Sequence, residues 1–401
     1  MRVRHIKGET SVDTDIGGRI SEARERLGMS QAELAERSGV GVRQTITEIE
    51  AGRRQVRASE LVSLASALRT DFAWLLGSKE PRTPCVLWRE RADSAAETEA
   101  TFLNLYQRFH QVLTCCDQRP SDILPQFKED PSSFTYEDAT RLADTMSRTL
   151  SLGSRPASSL ASVLESVYDV MIWYMPLGHD GSAASLRDSD GCAILINSNE
   201  APWRRNFDLA HELFHLVTWN SFIATIQDDP EFAKIAETLA NVFASSLLLP
   251  ADELRLVLES RIANNSMEHA DVVDVAREFG VSSSALLWRM RVLGYLSTTS
   301  VRQLLGDTEF KRVDRASISS QWQEPSPYPE RYVRLAFNAF SRGRLSRSML
   351  AQYLGTRMPG LDAVLADYGV TESSSGPITL DSNPFNLNDL SDDDAPALRT
   401  S

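Results

Sequence analysis

Two histidines four positions apart enclose a glutamate in the run His211-Glu212-Leu213-Phe214-His215. The surrounding segment, about Trp203–Trp219, has helical periodicity, so both imidazoles leave the same face of one helix. A zinc ion about 2.0–2.1 Å from each ring nitrogen fits this spacing. Glu212 projects beside the histidines, where it can act as general base on water and deliver the proton to a leaving amine. The motif therefore predicts zinc-dependent peptide hydrolysis. The alternative is a helix whose histidines make ordinary hydrogen bonds.

A catalytic zinc site needs a third protein ligand and one open position. Glu237 is the favoured third ligand, because it lies on the next predicted helix, about Glu231–Leu249, which turns back antiparallel to the first. Asp228, Asp229 and Glu231 are rivals, although they fall in the connecting loop and look solvated. Zn²⁺ is the expected metal, with Mn²⁺ as the other candidate.

The N-terminal segment 16–77 has the pattern of a five-helix helix-turn-helix domain. Ser30 is a natural N-cap, and Glu33 completes a capping box. Gly39 stands where the tight turn between the two central helices requires a positive φ. The predicted buried face comprises Ile20, Ala23, Leu27, Leu34, Ala35, Ile46, Ile49, Leu61, Leu64, Ala65 and Leu68.

The helix that follows the turn, about Arg43–Ala51, is expected to enter the major groove of DNA. Its exposed polar residues suit base edges and phosphates, and the arginines just beyond it, which include Arg57, suit the DNA backbone. The alternative is a protein–protein module on the same scaffold. The candidate DNA-contacting residues are Gln31, Arg43, Gln44, Thr45, Thr47, Arg53 and Arg54.

The net charge of −13 argues against a protein that coats nucleic acid by charge alone. Residues 1–80 hold 13 Lys and Arg against 12 Asp and Glu, which leaves a charge of −14 for the rest of the chain. DNA contact should therefore be confined to a small surface near the N-terminus. Binding to two half-sites of a double-stranded operator would make a homodimer possible.

Beyond residue 80 the sequence predicts mostly helices and a small sheet. An apolar stripe from Phe102 to Leu113 indicates one helix, and Ala139–Leu150 and Ala157–Glu165 indicate two more. Tyr168–Met175 and Cys192–Asn197 read as strands joined by a polar, hairpin-type connection.

The fold class is thus mainly α with a small β-sheet (α+β), made of a five-helix DNA-binding domain, a zincin-like peptidase domain and a C-terminal helical region. The predicted domains are 1–80 for DNA binding, 81–134 as a helical linker, 135–300 for the peptidase, 301–370 as the C-terminal helices and 371–401 as a disordered acidic tail.

Two Arg-containing segments could also pass for DNA readers. Asp271–Leu296 has a helix–turn–helix pattern, but its acidic surroundings favour packing against the peptidase core. Arg331–Gly355 carries several arginines over an apolar stripe, which a solvated helix face explains equally well.

The N-terminal pattern resembles the XRE/Cro-type repressor family in Leu34-Ala35, Gly39-Val40, Ile46, Ile49-Glu50 and Gly52. One residue more than usual stands between the turn glycine and the recognition helix.

From Ile196 to Pro250 the sequence resembles the ImmA/IrrE family of metallopeptidases, and the likeness extends over about residues 135–296. The matching stretches are Asn197, Arg204-Arg205-Asn206-Phe207-Asp208-Leu209-Ala210-His211-Glu212-Leu213-Phe214-His215, and Glu237 with Ala240-Asn241, Phe243-Ala244, Leu247-Leu248 and Pro250.

The second resemblance implies that His211, His215 and Glu237 hold the metal and that Glu212 is catalytic. Phe214 departs from the family, which usually has glycine there. A bulky ring would either narrow the cleft or reflect different packing.

Together the two halves imply a cytoplasmic stress-response regulator that cleaves a repressor-like or antitoxin-like protein. A variant of this function is cleavage within the chain itself, in the linker at residues 81–100. The alternative of another class is a transcription factor whose metal core only senses or binds. The segment MRVRHIKGETSVDTD lacks an apolar signal core, no membrane partner is expected, and the four cysteines should be reduced thiols.

Overall fold

The structure of the chain is a computed structural model, and it describes residues 12–68, 70, 75–76, 85–89, 96–119, 122–128, 130–178, 181–188, 190–264, 266–317 and 324–370. The acidic tail 371–401 and most of the fifth predicted N-terminal helix lie outside the described residues.

Four N-terminal helices surround a small apolar core of their own. They are α1 (Val12–Arg26), α2 (Gln31–Ser38), α3 (Arg43–Glu50) and α4 (Ala58–Ala67). The predicted buried residues lie in this core, with Leu27 half-buried at its edge. Ser30 Oγ accepts from the Glu33 amide at 3.2 Å, and the Glu33 carboxylate accepts from the Ser30 amide at 2.8 Å, so the capping box forms as predicted. Gly39 ends α2 at φ 66°.

The remaining helices in the described part of the chain lie between residues 96 and 367. They are α5 (Ala96–Cys115), α6 (Tyr136–Thr149), α7 (Pro156–Ser166), α8 (Pro202–Asp228), α9 (Pro230–Leu248), α10 (Ala251–Arg261), α11 (His269–Glu278), α12 (Ser283–Val292), α13 (Thr298–Gly306), α14 (Thr308–Ala316), α15 (Glu330–Ser341), α16 (Arg347–Tyr353) and α17 (Leu361–Asp367).

Within the described residues, four strands form one sheet in the order β1-β3-β4-β2, where β1 is Val86–Arg89, β2 is Met171–Met175, β3 is Ala183–Asp188 and β4 is Gly191–Asn197. β1 pairs with β3 and β3 with β4 in antiparallel fashion, whereas β2 and β4 are parallel. The hairpin predicted between Tyr168–Met175 and Cys192–Asn197 is therefore wrong, because the polar connection contains β3. The polar residues of β3 hid its strand pattern in the sequence. One of them, Arg187, is buried in an ion pair with Asp122, 2.7 Å away.

The two faces of the sheet bury different helices, as the period-2 alternation of strand side chains requires. On one face, Ile172, Ile194 and Ile196 pack into the core that α6, α7, α8 and α9 share. On the other face, Trp173 and Leu195 pack against α5, α15, α16 and α17.

The helices on this second face of the sheet come from two predicted regions, the linker 81–134 and the C-terminal region 301–370. The helical linker predicted at 81–134 contains the strand β1, and its helix α5 covers the sheet together with helices from the C-terminal region 301–370. The domain boundaries themselves stay predictions.

The two Arg-containing segments pack against the rest of this unit. An added Cβ at Gly280, between α11 and α12, would lie 2.8 Å from Ala157 Cβ, so the turn is pressed against α7. Arg289 is buried and donates to the Leu249 carbonyl at 3.1 Å. In the second segment Arg331 pairs with Asp169. These contacts favour packing over DNA reading.

The α+β class is confirmed by the small mixed sheet and the many helices. All four cysteines are free thiols. No single helix of the described residues combines the length and apolar character of a membrane span; one pair, α9 and α10, meets both criteria together but is bent by 58°.

Candidate metal centre and DNA interface

The helix α8 carries the histidine motif through the middle of the larger core. Pro202 occupies its first turn, where a missing N–H costs nothing. From Asp208 to Trp219 every residue is buried, because α8 lies between the sheet and α9. His211 and His215 stand one helical turn apart, as predicted.

The three predicted ligands converge on one point. His211 Nε2 and His215 Nε2 are 3.2 Å apart. The Glu237 carboxylate, from α9, lies 3.1 Å from His211 Nε2 and 3.3 Å from His215 Nε2. One ligand atom of each residue falls within 4.8 Å of the others. Two imidazoles and one carboxylate match the three protein ligands of a catalytic zinc site.

Asn241 sets the tautomer of His211. Its Oδ1 lies 3.2 Å from His211 Nδ1 and accepts from Arg89 Nη2 at 3.4 Å. An acceptor at this position places the hydrogen on Nδ1, so the lone pair of His211 resides on Nε2, toward the shared point. A metal-ligating histidine needs this arrangement.

The electrostatics of the cluster also suit a cation. Burial lowers the pKa of His211 to about 4, against the raising effect of Glu237. Burial opposes ionisation of Glu237 as well, yet its hydrogen bonds to His211 and His215 hold its pKa below the usual range. For His215, the effect of burial is outweighed by Glu237 and Glu212, which raise its pKa. A neutral His211 imidazole beside an ionised Glu237 carboxylate is the state that ligates a metal, whereas His215 has to give up its proton when a metal binds.

Glu212 is fully buried next to this point. No hydrogen bond of good geometry reaches either carboxylate oxygen from the described residues, and Nδ1 of His215 is similarly orphaned. Burial raises the pKa of Glu212 to about 7, against the opposing effects of His215 and the Ser185 hydroxyl. Buried polar atoms without partners are costly, so these residues fit a site completed by a metal and water.

The rival ligands serve other purposes. Asp229 caps α9, accepting from the Glu231 amide at 2.9 Å and the Phe232 amide at 3.2 Å. Glu231 pairs with Lys234 at 2.7 Å and is 79% exposed, and Asp228 is the exposed last residue of α8.

Phe214 packs into an aromatic cluster. It is fully buried, and its ring centroid lies 6.2 Å from Phe134, 5.8 Å from Phe222 and 5.6 Å from Phe243. The departure from glycine thus accompanies an aromatic cluster, which favours the packing explanation over a narrowed cleft.

Arg89, Asp208 and Asn241 surround the ligands but were given no role from the sequence. Arg89 pairs with Asp208 of α8 and reaches Asn241 of α9. Asn241 stands four positions after Glu237 on the same helix face, a spacing that could have identified it. No local pattern links Arg89 to the site.

In the N-terminal domain, α3 presents Arg43 and Gln44 to solvent, with Arg53 exposed just beyond. Thr45 is half-buried under Gly41, and the Val42 amide donates to its Oγ1 at 3.3 Å. Gly41 has φ 65°, and an added Cβ would lie 2.4 Å from Thr45 Oγ1. The longer turn is thus accommodated by a second glycine.

The other candidate DNA contacts are engaged within the domain. Gln31 donates to Glu50 Oε2 at 2.8 Å and accepts from Thr47 Oγ1 at 2.9 Å. Arg54 pairs with Glu60 at 2.7 Å. The Gln31 bonds join α2 to α3, and the Arg54 pair joins the turn after α3 to α4. Arg43, Gln44 and Arg53 are consequently the better candidates for direct contact.

Two family models match the chain: one described as an IrrE N-terminal-like domain at residues 165–291, and one described as helix-turn-helix at residues 20–75. The chain is 27% identical over 140 residues to the radiation response metalloprotease IrrE of Deinococcus deserti, covering 34% of this chain and 47% of that protein. The same-named protein of Deinococcus radiodurans is 30% identical over 175 residues, covering 41% and 51%.

A propionyl-CoA carboxylase regulator of Cereibacter sphaeroides is 24% identical over 274 residues, covering 58% of this chain and 57% of that protein. The chain thus spans about half the length of the curated relatives it matches. A Mycobacterium tuberculosis transcriptional regulator is similar in structure at 18% identity and a TM-score of 0.29, covering 46% of this chain and 51% of its own; this overlap is too low to establish a shared fold. Both family matches confirm the resemblances read from the sequence: the chain carries an XRE-type helix-turn-helix domain followed by a metallopeptidase-family domain of the IrrE/ImmA type.

Proposed function

We propose that this DNA-binding regulator cleaves a partner protein, of the repressor or antitoxin-like kind, at the site formed by His211, Glu212, His215 and Glu237. The observation that carries the proposal is the convergence of the two Nε2 atoms and the Glu237 carboxylate beside a buried, unpartnered Glu212. His211, His215 and Glu237 would hold Zn²⁺ or Mn²⁺. A divalent ion bound there supplies Lewis acidity toward a peptide carbonyl and toward water.

The chain's own residues account for the movement of the proton. Water adds its oxygen to the scissile carbonyl carbon, and Glu212 accepts the proton that the water loses. As the C–N bond breaks, Glu212 delivers this proton to the leaving amine nitrogen. Its raised pKa, about 7, suits a group that both accepts and donates near neutral pH.

Cleavage in trans tests this proposal. Full-length protein loaded with zinc or manganese is incubated with candidate repressor proteins, beside the same protein treated with a chelator, and fragments are identified by mass. We expect a defined cut that disappears with the metal and returns when it is restored. Stoichiometric metal without cleavage of any candidate would contradict the peptidase proposal.

The second candidate is a transcription factor whose metal core senses or binds without turnover. Two observations favour it: His211 and Glu212 have no exposed surface, and one relative that matches 58% of this chain is named a regulator. It predicts DNA binding that changes with metal loading and no fragments in the cleavage assay.

The proposed DNA contact is made by α3, with a dimer spanning two half-sites of an operator. We expect the double substitution Arg43→Ala and Gln44→Ala to weaken operator binding at least tenfold, because a bidentate base contact is worth about 1–3 kcal/mol. If Arg43 neutralises a phosphate, the slope of the logarithm of the binding constant against the logarithm of the salt concentration should also become shallower by about one. The probe is a duplex enriched from random sequences by the wild-type protein.

A matched control is available on α13, where Arg302 and Gln303 are likewise adjacent and exposed. Arg302→Ala with Gln303→Ala should leave DNA affinity unchanged. Unchanged affinity of the α3 variant, with its helix content intact, would show that DNA is read by another surface.

A further inference from the structure

The strand β1 lies at the edge of the sheet beside the metal centre. Its register with β3 sets Leu87 opposite Ser185 and Arg89 opposite Ala183. Ser185 is buried, and its hydroxyl lies near enough to Glu212 to oppose the rise in the pKa of that carboxyl, without a hydrogen bond of good geometry between them. β1 is thus the strand next to the one that borders Glu212.

Alternate residues of β1 point to opposite sides. Val86 and Trp88 pack with the core on the α5 side of the sheet, whereas Leu87 packs with the core on the α8 side. Arg89 shares the face of Leu87 by the period-2 alternation of a strand. Two side chains of β1 therefore face the helices that carry the ligands.

Arg89 anchors β1 to both of those helices. Its guanidinium pairs with the buried Asp208 of α8 and donates to Asn241 Oδ1 of α9 at 3.4 Å. It also lies over the Phe207 ring, 5.3 Å from the centroid. Asn241 Oδ1 also contacts His211 Nδ1, so Asn241 links Arg89 of β1 to one of the predicted metal ligands.

At the other end of β1, Gln227 Nε2 at the end of α8 lies 3.1 Å from the Cys85 sulfur. The segment from Cys85 to Arg89 therefore runs beside α8, past the turn that carries His211 and His215. An extended chain that pairs with a sheet edge and directs alternate side chains into pockets is how proteins bind peptides by strand addition.

We propose that β1 occupies the position through which this site binds its polypeptide substrate, so that the chain's own Val86–Arg89 is an internal competitor that must leave before a substrate strand can pair with β3. The inference rests on the proposed peptidase function. The segment that fits is extended and antiparallel to β3, with an aliphatic residue two positions before an arginine. Asp208 and Asn241 would receive the arginine. With β1 in place, Glu212 and His211 have no exposed surface.

A short edge strand is suited to such an exchange. β1 has only four residues and pairs on one side alone, whereas β3 and β4 are paired on both sides. Elements with few cooperative hydrogen bonds open at lower free energy than central strands.

The test measures peptide binding to the full-length, metal-loaded protein. The probe is a fluorescent peptide with the sequence of residues 84–92, Pro-Cys-Val-Leu-Trp-Arg-Glu-Arg-Ala, and a Glu212→Gln background prevents its turnover. Arg89→Ala should bind this peptide at least tenfold more tightly than the parent, because the internal strand has lost its anchor. Arg89→Lys should restore most of the competition.

The control removes a partly buried ion pair elsewhere. Arg277 pairs with Asp314 at 2.7 Å, between α11 and α14. Arg277→Ala should leave peptide affinity as it was. Equal affinities in the Arg89→Ala variant and its parent would overturn the inference.

Hydrogen exchange of the unmodified protein gives a measurement that needs no variant to fold. The amides that pair β1 with β3 should exchange at least tenfold faster than those that pair β3 with β4. Added peptide should slow exchange of the β3 amides and speed exchange of the displaced β1 amides. Equal protection of both sets would also overturn the inference. If proteins that retain Glu212 bind the peptide tightly but do not cleave it, the inference about β1 stands and the proposed peptidase function is wrong.

Discussion

Replacing Glu212 with glutamine should lower the rate of partner cleavage by about 10²–10⁴-fold while leaving the bound metal in place. Glutamine has the shape of glutamate but cannot accept the proton from water. Glu212 is not one of the three residues whose ligand atoms converge, which are His211, His215 and Glu237. The substitution therefore removes none of the predicted metal ligands. The fold should tolerate the change, since a neutral amide is easier to bury than a carboxylate.

The measurement pairs initial cleavage rates with metal content of the same preparations. Glu231→Gln is a matched control, because Glu231 is an exposed glutamate at the start of α9 whose side chain pairs with Lys234. It should cleave at the wild-type rate. If Glu212→Gln cleaves as fast as the parent, the general-base assignment is wrong. If it loses the metal, Glu212 is a ligand.

The sequence predicted the parts of the site that depend on local spacing. His211 and His215 are one turn apart on a helix whose periodicity is visible, and Glu237 lies on the helix that must return beside it. The turn at Gly39 and the cap at Ser30 follow from backbone geometry in the same way. Short-range rules are sufficient for each of these features.

The parts that were missed depend on contacts between distant positions. Arg89 lies 119 residues before Asp208, and no periodic pattern connects them. β3 escaped detection because Ser185 and Arg187 give it a polar composition, although both residues are buried among partners from other elements. Sheet partners and buried ion pairs are fixed by tertiary packing, and strand preference depends strongly on that context.

Substitution of Phe214 should have a large effect on the stability of the protein. Phe214→Ala should destabilise the protein by about 3–5 kcal/mol, because the ring is fully buried and the space it leaves would be only partly refilled. Phe134, Phe222 and Phe243 would each lose an aromatic contact. Phe214→Gly should cost about 1 kcal/mol more, since glycine weakens a helix interior.

Chemical denaturation of the metal-free protein, followed by near-ultraviolet circular dichroism, measures this loss without a contribution from metal binding. Phe337→Ala is the control: Phe337 is a half-buried phenylalanine on α15, so its truncation should cost less than half as much. The ring of Phe214 also lies 5.7 Å from that of His215, so the aromatic cluster supports one ligand directly. If Phe214→Gly kept the stability of the parent and changed which peptides are cleaved, the residue would be a wall of the cleft, and the packing explanation would fail.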